Sequence, residues 1–225
     1  MLEKLLDAIS RRTTLLDEAR RDAVMMLASV RRMYDLVVLG LKEDAGEEVR
    51  AKIMAMDKDI NRQQEKVRKK VFEHLSFSRG QDLQQGLGLI TAVIDIERIG
   101  DYTKNIAELI DFVPHKLNFS THEAAYKEAQ SQCSEVFDRG LEAYSTQDVF
   151  VGRKCIESYQ RLSLVCDRTI KLLLEETSSS EGNAIDRDML ALVLLLRYLK
   201  RVGAHLKNTS SILVNPFHTV GFRPK

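Results

Sequence analysis

The chain lacks tryptophan, and among its 225 residues it has only three prolines, eleven glycines and 6% aromatic residues. Proline and glycine mark many turns, and aromatic residues favour strands, so this composition leaves little material for a sheet with many turns. The three cysteines, Cys133, Cys155 and Cys166, form no Cys-x-x-Cys pair and leave one thiol unpaired. Such a set argues against a disulfide framework and suits a reducing compartment.

The chain also lacks a large net charge and a long apolar run. Its 34 basic and 33 acidic residues give a formal net charge of +1, which argues against a nucleic-acid-binding surface. The longest continuous apolar run, Met189–Leu196, is much shorter than the roughly 20 residues that span a membrane. The N-terminal leucines are interrupted by acids, with no cleavage site of small residues, so no secretory signal is expected. We therefore expect a soluble, cytoplasmic chain.

Helical periodicity runs through most of the sequence. From residue 9 to Leu41, apolar residues recur at alternating steps of three and four, which predicts a long helix with a narrow apolar seam. A second helix is predicted over Glu47–Phe77, and a third runs to Val113, where Pro114 prevents continuation. Predicted breaks lie at residues 43–46 and 78–80. The first half therefore reads as three consecutive helices.

The second half has the same organisation. Ser120 and Glu123 form a capping-box pattern that predicts a fresh helix start, and residues 145–148 supply caps for the next helix. A polar run over residues 177–183 predicts a flexible loop before the last helix. The sequence thus predicts an all-α protein of two three-helix bundles, over residues 1–114 and 119–214, with a tail over residues 215–225.

The third predicted helix carries two acids on one face. Glu97 and Asp101 are four residues apart, so their carboxylates lie side by side and repel each other unless a cation binds between them. Gly100, in the same turn, weakens a helix by roughly 1 kcal/mol relative to alanine, which indicates that something approaches its backbone closely. Two interpretations stay open at this stage: a metal site, or an acidic face exposed to solvent.

The third and sixth predicted helices resemble each other. Glu97 aligns with Lys200, Asp101 with Ala204, and the motif residues Arg98, Gly100 and Asn105 with Arg201, Gly203 and Asn208. In the preceding helices, Glu157 aligns with Asp57 and Arg161 with Asn61. This pattern predicts a duplicated three-helix unit. We expect Arg98 and Arg201 to occupy equivalent places and each to pair with an acid on a neighbouring helix, because arginine suits bidentate carboxylate contact.

The motif Glu-Arg-Ile-Gly-Asp-x-x-x-Asn-Ile-Ala-Glu at residues 97–108, with its second copy, resembles the PhoU family of regulators of bacterial phosphate uptake. The resemblance implies paired acidic motifs on two adjacent helices that bind multinuclear iron or other metal clusters. Carried onto this chain, the ligands would be Glu97, Asp101, Asp57 and Asn61, where Asn61 replaces a usual acid.

In the second half the resemblance departs from the family pattern, because Arg161, Lys200 and Ala204 replace acids. Positive charges there would repel a cation. We therefore expect a divalent metal or iron cluster on the first repeat only, bound weakly. Oxygen ligands suit Mg, Ca, Mn or iron. Asp101→Ala should abolish binding, and Ala204→Asp should not create it while Lys200 remains.

The resemblance also implies a function. A PhoU-like chain would couple phosphate status to a transporter, either a Pst-type ABC system or a sodium–phosphate carrier, and a sensor histidine kinase is a further candidate partner. It would act through helix-surface contact, reach the membrane only through those partners, and have no enzymatic activity. A homodimer stays open.

Two alternatives compete with this interpretation. One is a helical scaffold whose metal site has decayed, and the other is a metal enzyme built on the same acids. The sequence has no Glu-x-x-His ligand pair, no Gly-x-Ser-x-Gly nucleophile elbow and no Gly-rich phosphate loop. These absences weigh against the enzyme.

Overall fold

The computed structural model describes residues 2–41, 46–78, 80–113, 117–178 and 187–221. These ranges contain six α-helices and two short 3-10 turns, at Ser120–His122 and Phe217–Thr219, and no strand. The helices are α1 (Leu2–Gly40), α2 (Gly46–Phe77), α3 (Leu83–Phe112), α4 (Glu123–Thr146), α5 (Val149–Ser178) and α6 (Arg187–Val214). The predicted all-α class is confirmed. No described helix has the length and apolar character needed to cross a membrane.

The helices pack in two groups of three. Helices α1, α2 and α3 contact one another, and so do α4, α5 and α6. The groups meet mainly where α3 packs on α6, with a smaller contact between α1 and α4. The buried apolar residues nevertheless form a single cluster that extends from Leu16 in α1 to Leu206 in α6. The division into two domains stays a prediction, and Pro114 lies outside the described residues.

The predicted apolar seam of the first helix is confirmed. Seven of its positions are buried: Leu16, Ala19, Ala23, Met26, Val30, Met33 and Val37. Each step of three or four residues returns to the same side of a helix, so these side chains all face α2, α3 and α4. The seam therefore fixes which side of α1 enters the core.

The helix ends follow the sequence in some places and differ in others. Asp148 caps α5 as predicted, because its Oδ1 accepts hydrogen bonds from the N–H groups of Phe150 at 2.7 Å and Val151 at 3.2 Å. The predicted capping box at Ser120 stays a prediction, because the Ser120 side chain lies outside what the structure describes. Residues 120–122 form a 3-10 turn, and α4 begins at Glu123 without a side-chain cap. Of the predicted break over residues 43–46 and the predicted loop over residues 177–183, the described residues Gly46, Thr177 and Ser178 are helical, and the rest lie outside the described residues, as does Arg79.

The two repeated glycines lie at the same kind of helix contact. A Cβ built on Gly100 in α3 would lie 3.5 Å from Ile60 Cδ1 in α2. A Cβ on Gly203 in α6 would lie 2.5 Å from Leu162 Cδ2 and 3.1 Å from the Tyr159 ring in α5. Gly203 is therefore needed for the close approach of α6 to α5, whereas at Gly100 a methyl group would make only ordinary contact with α2. The expectation that Gly100 marks a close approach to its backbone is wrong.

Alanine at the two glycines should have opposite effects on stability. Gly100→Ala should raise the free energy of unfolding by up to about 1 kcal/mol, because the methyl group fits and alanine favours the helix. Gly203→Ala should lower it by about 1–3 kcal/mol, because Leu162 is fully buried and cannot move freely. Urea denaturation of both variants would measure these changes. Equal effects of the same sign would contradict the difference in packing.

Candidate functional site

Three of the predicted metal ligands lie around one lysine. Asp57 on α2 is buried, whereas Glu97 and Asp101 on α3 are half-buried. The Nζ atom of Lys104 lies 3.2 Å from Asp57 Oδ2 and 3.5 Å from Asp101 Oδ1. The structure thus brings Asp57 and Asp101 to the same ammonium group, and α2 and α3 face each other here as predicted.

The lysine bears directly on metal binding. Burial disfavours the charged form of Lys104, but the hydrogen bond to Asp57 and the charges of Asp57 and Asp101 outweigh it and raise its pKa above 10.5. Its ammonium is therefore charged at neutral pH and supplies the cation that the two carboxylates need. Within the described ranges, no group of three or more His, Cys, Asp or Glu side chains is placed to hold a metal ion. As placed, these residues do not fit a divalent cation, and weak metal binding here stays a prediction.

Glu97 completes the acidic group. Burial raises its pKa above the ordinary value of 4.5, and the Asp101 carboxylate adds to that rise. Arg98 opposes the shift, with its Nε 3.7 Å from Glu97 Oε2, and Lys104 opposes it less. One lysine and one arginine thus leave the charge of Glu97 incompletely balanced.

Glu97→Gln should stabilise the protein in a pH-dependent way. The folded state binds the Glu97 proton more tightly than the unfolded chain, so the free energy of unfolding falls as pH rises from about 4.5 through the folded-state pKa. Glutamine lacks this titration, so the variant should gain stability relative to the wild type between pH 4 and pH 7. Urea denaturation at both pH values would measure the gain. A difference between the two proteins that does not change with pH would contradict the shift.

The remaining predicted residues of the first half are peripheral. Asn61 is exposed on α2, and Asn105 is half-buried on α3. Arg98 is 56% exposed and pairs with Asp101 Oδ2 at 3.0 Å, on its own helix. The prediction that Arg98 pairs with an acid of a neighbouring helix is therefore wrong, because its side chain extends along α3 into solvent.

The second half repeats the lysine contact with a different partner. Lys207 is three residues beyond Ala204, as Lys104 is three beyond Asp101, and its Nζ lies 5.7 Å from the centre of the Tyr159 ring. Tyr159 therefore stands where Asp57 stands in the first half. The aligned position was Glu157, so the register of α5 is shifted by two residues from the sequence alignment. The glycine contacts agree, because Gly203 faces Leu162 as Gly100 faces Ile60.

Lys200 and Arg161, which stand where the family pattern has acids, each form an ion pair with an acid on another helix. Lys200 Nζ lies 2.5 Å from Asp167 Oδ2 on α5. Arg161 is paired with Glu135 Oε1 on α4 at 2.9 Å and does not face α6. Glu157 is exposed. The expected exclusion of a cation from the second half stays a prediction, although the structure shows where the positive charges of that half lie.

A polar cluster joins α3 to α6, and we call it the α3–α6 cluster. Asp95 Oδ1 accepts hydrogen bonds from His205 Nδ1 at 2.7 Å and from Asn208 Nδ2 at 3.2 Å. Tyr102 stacks on His205 with ring centroids 5.6 Å apart, and its hydroxyl accepts a hydrogen bond from Arg201 Nε at 3.0 Å. The predicted acid partner of Arg201 is therefore wrong, since its partner on the neighbouring helix is a phenol.

Sequence reasoning missed Asp95, Lys104 and His205. Asp95 is buried within the otherwise apolar run that precedes Glu97, and a lone acid in such a run needs a partner. The sequence also contained a sign of that partner, because His205 and Asn208 are three residues apart on the same side of α6. Lys104 was visible as a base three residues beyond Asp101, but only the fold shows that it also reaches Asp57.

Comparisons with known proteins agree with this architecture. Residues 24–110 match the PhoU domain family. The fold is similar to the crystal structure of PhoU from Pseudomonas aeruginosa, with a TM-score of 0.80 and 19% identity over 89% of this chain and 96% of that one. It is also similar to the phosphate transport system regulatory protein PhoU from Streptococcus pneumoniae, with a TM-score of 0.78 and 15% identity over 90% and 94% of the two chains.

No curated protein sequence matches the chain. The domain match covers α2, most of α3 and residues 24–40 of α1, including Asp57, Glu97 and Asp101. The fold similarity extends over both halves. The chain therefore matches the PhoU domain family in its first half, and its fold over both halves is similar to that of these two PhoU structures.

Proposed function

We propose that this protein regulates phosphate uptake and phosphate-dependent signalling in the cytoplasm. The observation that carries the proposal is the PhoU domain over residues 24–110 within a PhoU fold that covers about nine-tenths of the chain. In this proposal the protein contacts a phosphate transporter, either a Pst-type ABC system or a sodium–phosphate carrier, and a sensor histidine kinase. It acts by binding and does not turn over a substrate.

One end of the helix bundle offers a surface for such contact. Helices α3 and α6 run antiparallel, because Gly88 near the start of α3 lies beside Ile212 near the end of α6. Gly152 near the start of α5 also lies beside Val214. Large apolar side chains are exposed at this end, which we call the apolar end: Phe77, Leu83, Val149, Phe150 and Phe217. Exposed apolar groups that gather in one region favour a protein partner.

Co-purification would test the proposal. The protein would be expressed with the transporter proteins and histidine kinases of the same genome, in cells grown with high and low phosphate. We expect the transporter to co-purify with the wild type, and the double variant Phe77→Asp/Phe150→Asp to lose it. Phe112→Asp is the matched control, because Phe112 is 70% exposed at the other end of α3. Equal capture by both variants would contradict a role for the apolar end.

A second candidate function has support from Lys104. A helical scaffold with a decayed metal site would keep its partner contacts and lose any response to metal, and the ammonium between Asp57 and Asp101 favours this version over a metal-loaded regulator. Metal analysis of protein purified without chelator would distinguish the two. A phosphatase assay with added Mn²⁺ should show no turnover above that of buffer, whereas turnover lost in Asp101→Ala would favour the metal enzyme.

A further inference from the structure

A small cavity lies at the apolar end, where both halves of the protein meet. Its volume is about 130 Å³, and its polar lining residues are Arg20 of α1, Gln84 and Gln85 of α3, Tyr144 of α4, and Gln147 and Asn215. A cavity of about 150 Å³ can enclose a molecule of the size of benzene. This cavity therefore has room for one small molecule or ion.

The charge around the cavity is positive. Among the described residues of the lining, Arg20 alone is charged, and its guanidinium donates hydrogen bonds to Gln85 Oε1 at 3.2 Å and to Asp17 Oδ1 at 3.4 Å. Asp17 is 46% exposed and is not part of the lining. Water therefore screens this ion pair on one side, and the other side of Arg20 remains available to the cavity.

The N-terminus of α3 adds to this positive charge. Asp82 precedes the helix but makes no capping bond, because its carboxylate bonds to His74 Nε2 at 2.8 Å. Among the described residues, the backbone N–H groups of Gln84 and Gln85 have no hydrogen-bond acceptor. Free N–H groups at the start of a long helix favour an anion nearby.

Tyr144 is an independent indication of a ligand. The residue is only 3% exposed, it lines the cavity, and its hydroxyl makes no hydrogen bond to any described residue. Burial raises the pKa of Tyr144 well above 10.0, against the opposing charge of Arg20, so the hydroxyl is a donor at neutral pH. The proton of the Tyr144 hydroxyl is therefore available to an acceptor in the cavity.

We propose that this cavity binds a small oxyanion, held by the Arg20 guanidinium, the Tyr144 hydroxyl and the N–H groups at the start of α3. The four side-chain amides nearby can add donors on other sides of the ion. Because the lining comes from α1 and α3 on one side and from α4 and α6 on the other, a bound ion would bridge the two halves. The site is separate from the acids around Lys104 and needs no metal.

Calorimetric titration of the full chain with inorganic phosphate at low ionic strength would test the proposal. Tyr144→Phe keeps the ring and removes one donor, so the dissociation constant should rise about tenfold. Arg20→Gln should weaken binding further. Asp17→Asn should tighten binding, because it frees Arg20 from a competing carboxylate. Arg21→Gln is the control, since Arg21 is exposed and does not line the cavity.

Two further ligands define what the site accepts. Sulfate has the size and shape of phosphate and should bind, whereas adenosine monophosphate is too large for the cavity and should bind at least tenfold more weakly than phosphate. Phosphate should also raise the melting temperature of the wild type more than that of Tyr144→Phe. Absence of phosphate binding, or equal affinity in the wild type, Tyr144→Phe and Arg20→Gln, would overturn the proposal. Either result would leave the transporter contact to its own experiment.

Discussion

Asp95→Ala should lower the free energy of unfolding by about 3–5 kcal/mol, the largest change we expect from a single substitution. Asp95 is 8% exposed and accepts two hydrogen bonds from α6, at 2.7 Å from His205 and 3.2 Å from Asn208. Alanine removes the oxygen that accepts both hydrogen bonds and leaves two polar side chains without this partner between the halves. A buried polar group without its partner loses its solvation and gains nothing in return.

Urea denaturation would measure this loss as a lower transition midpoint. Glu48→Ala is a suitable control, because Glu48 pairs with Lys52 on the exposed face of α2, where a substitution should leave the transition midpoint nearly unchanged. Asp95→Asn keeps an acceptor oxygen, so its free energy of unfolding should lie between those of Asp95→Ala and the wild type. A loss below about 1 kcal/mol for Asp95→Ala would show that the α3–α6 cluster contributes little.

Lys104→Ala should convert the acidic group into a better metal site. The ammonium lies within 3.5 Å of both Asp57 and Asp101, so a divalent ion there must displace it or tolerate strong repulsion. Without it, the negative charges of Asp57 and Asp101 lose their nearest cation, and Mn²⁺ affinity should rise by at least about tenfold, or 1.4 kcal/mol.

Calorimetric titration with Mn²⁺ would compare the wild type, Lys104→Ala and the double variant Lys104→Ala/Asp101→Ala. The double variant should lose the gain, because Asp101 supplies one of the oxygens. Lys52→Ala removes an equal charge from the exposed side of α2 and should leave Mn²⁺ binding unchanged. If Lys104→Ala binds Mn²⁺ no more tightly than the wild type does, the Lys104 ammonium does not occupy the place of a metal ion.

The sequence predicted the fold because periodicity determines which side of each helix is apolar. The seam from Leu16 to Val37 and the cap at Asp148 follow from spacing and local hydrogen bonding alone. Such features depend on residues within one helix or one turn. A close approach was also predicted at Gly100, but the structure has it at Gly203, the aligned glycine of α6.

The polar contacts between helices could not be predicted in the same way. Whether Asp57 corresponds to Glu157 or to Tyr159 depends on how far α5 slides along α6, and both residues fit the helical period. Arg201 reaches the phenol of Tyr102, whereas Asp95, about two turns away on α3, bonds to both His205 and Asn208. Competition among several polar groups for one partner is decided by the packed structure and not by spacing.

The shared core has a consequence for how a signal could pass through this protein. Because one apolar cluster extends through both groups of helices, neither half can loosen without exposing part of the other. The chain should therefore unfold in one cooperative transition despite its duplicated sequence. A partner that binds only one half would stabilise both halves by thermodynamic linkage. Its binding would also reduce local opening of the structure at a distant surface. Binding of a partner at one end would thereby change the stability of the whole molecule.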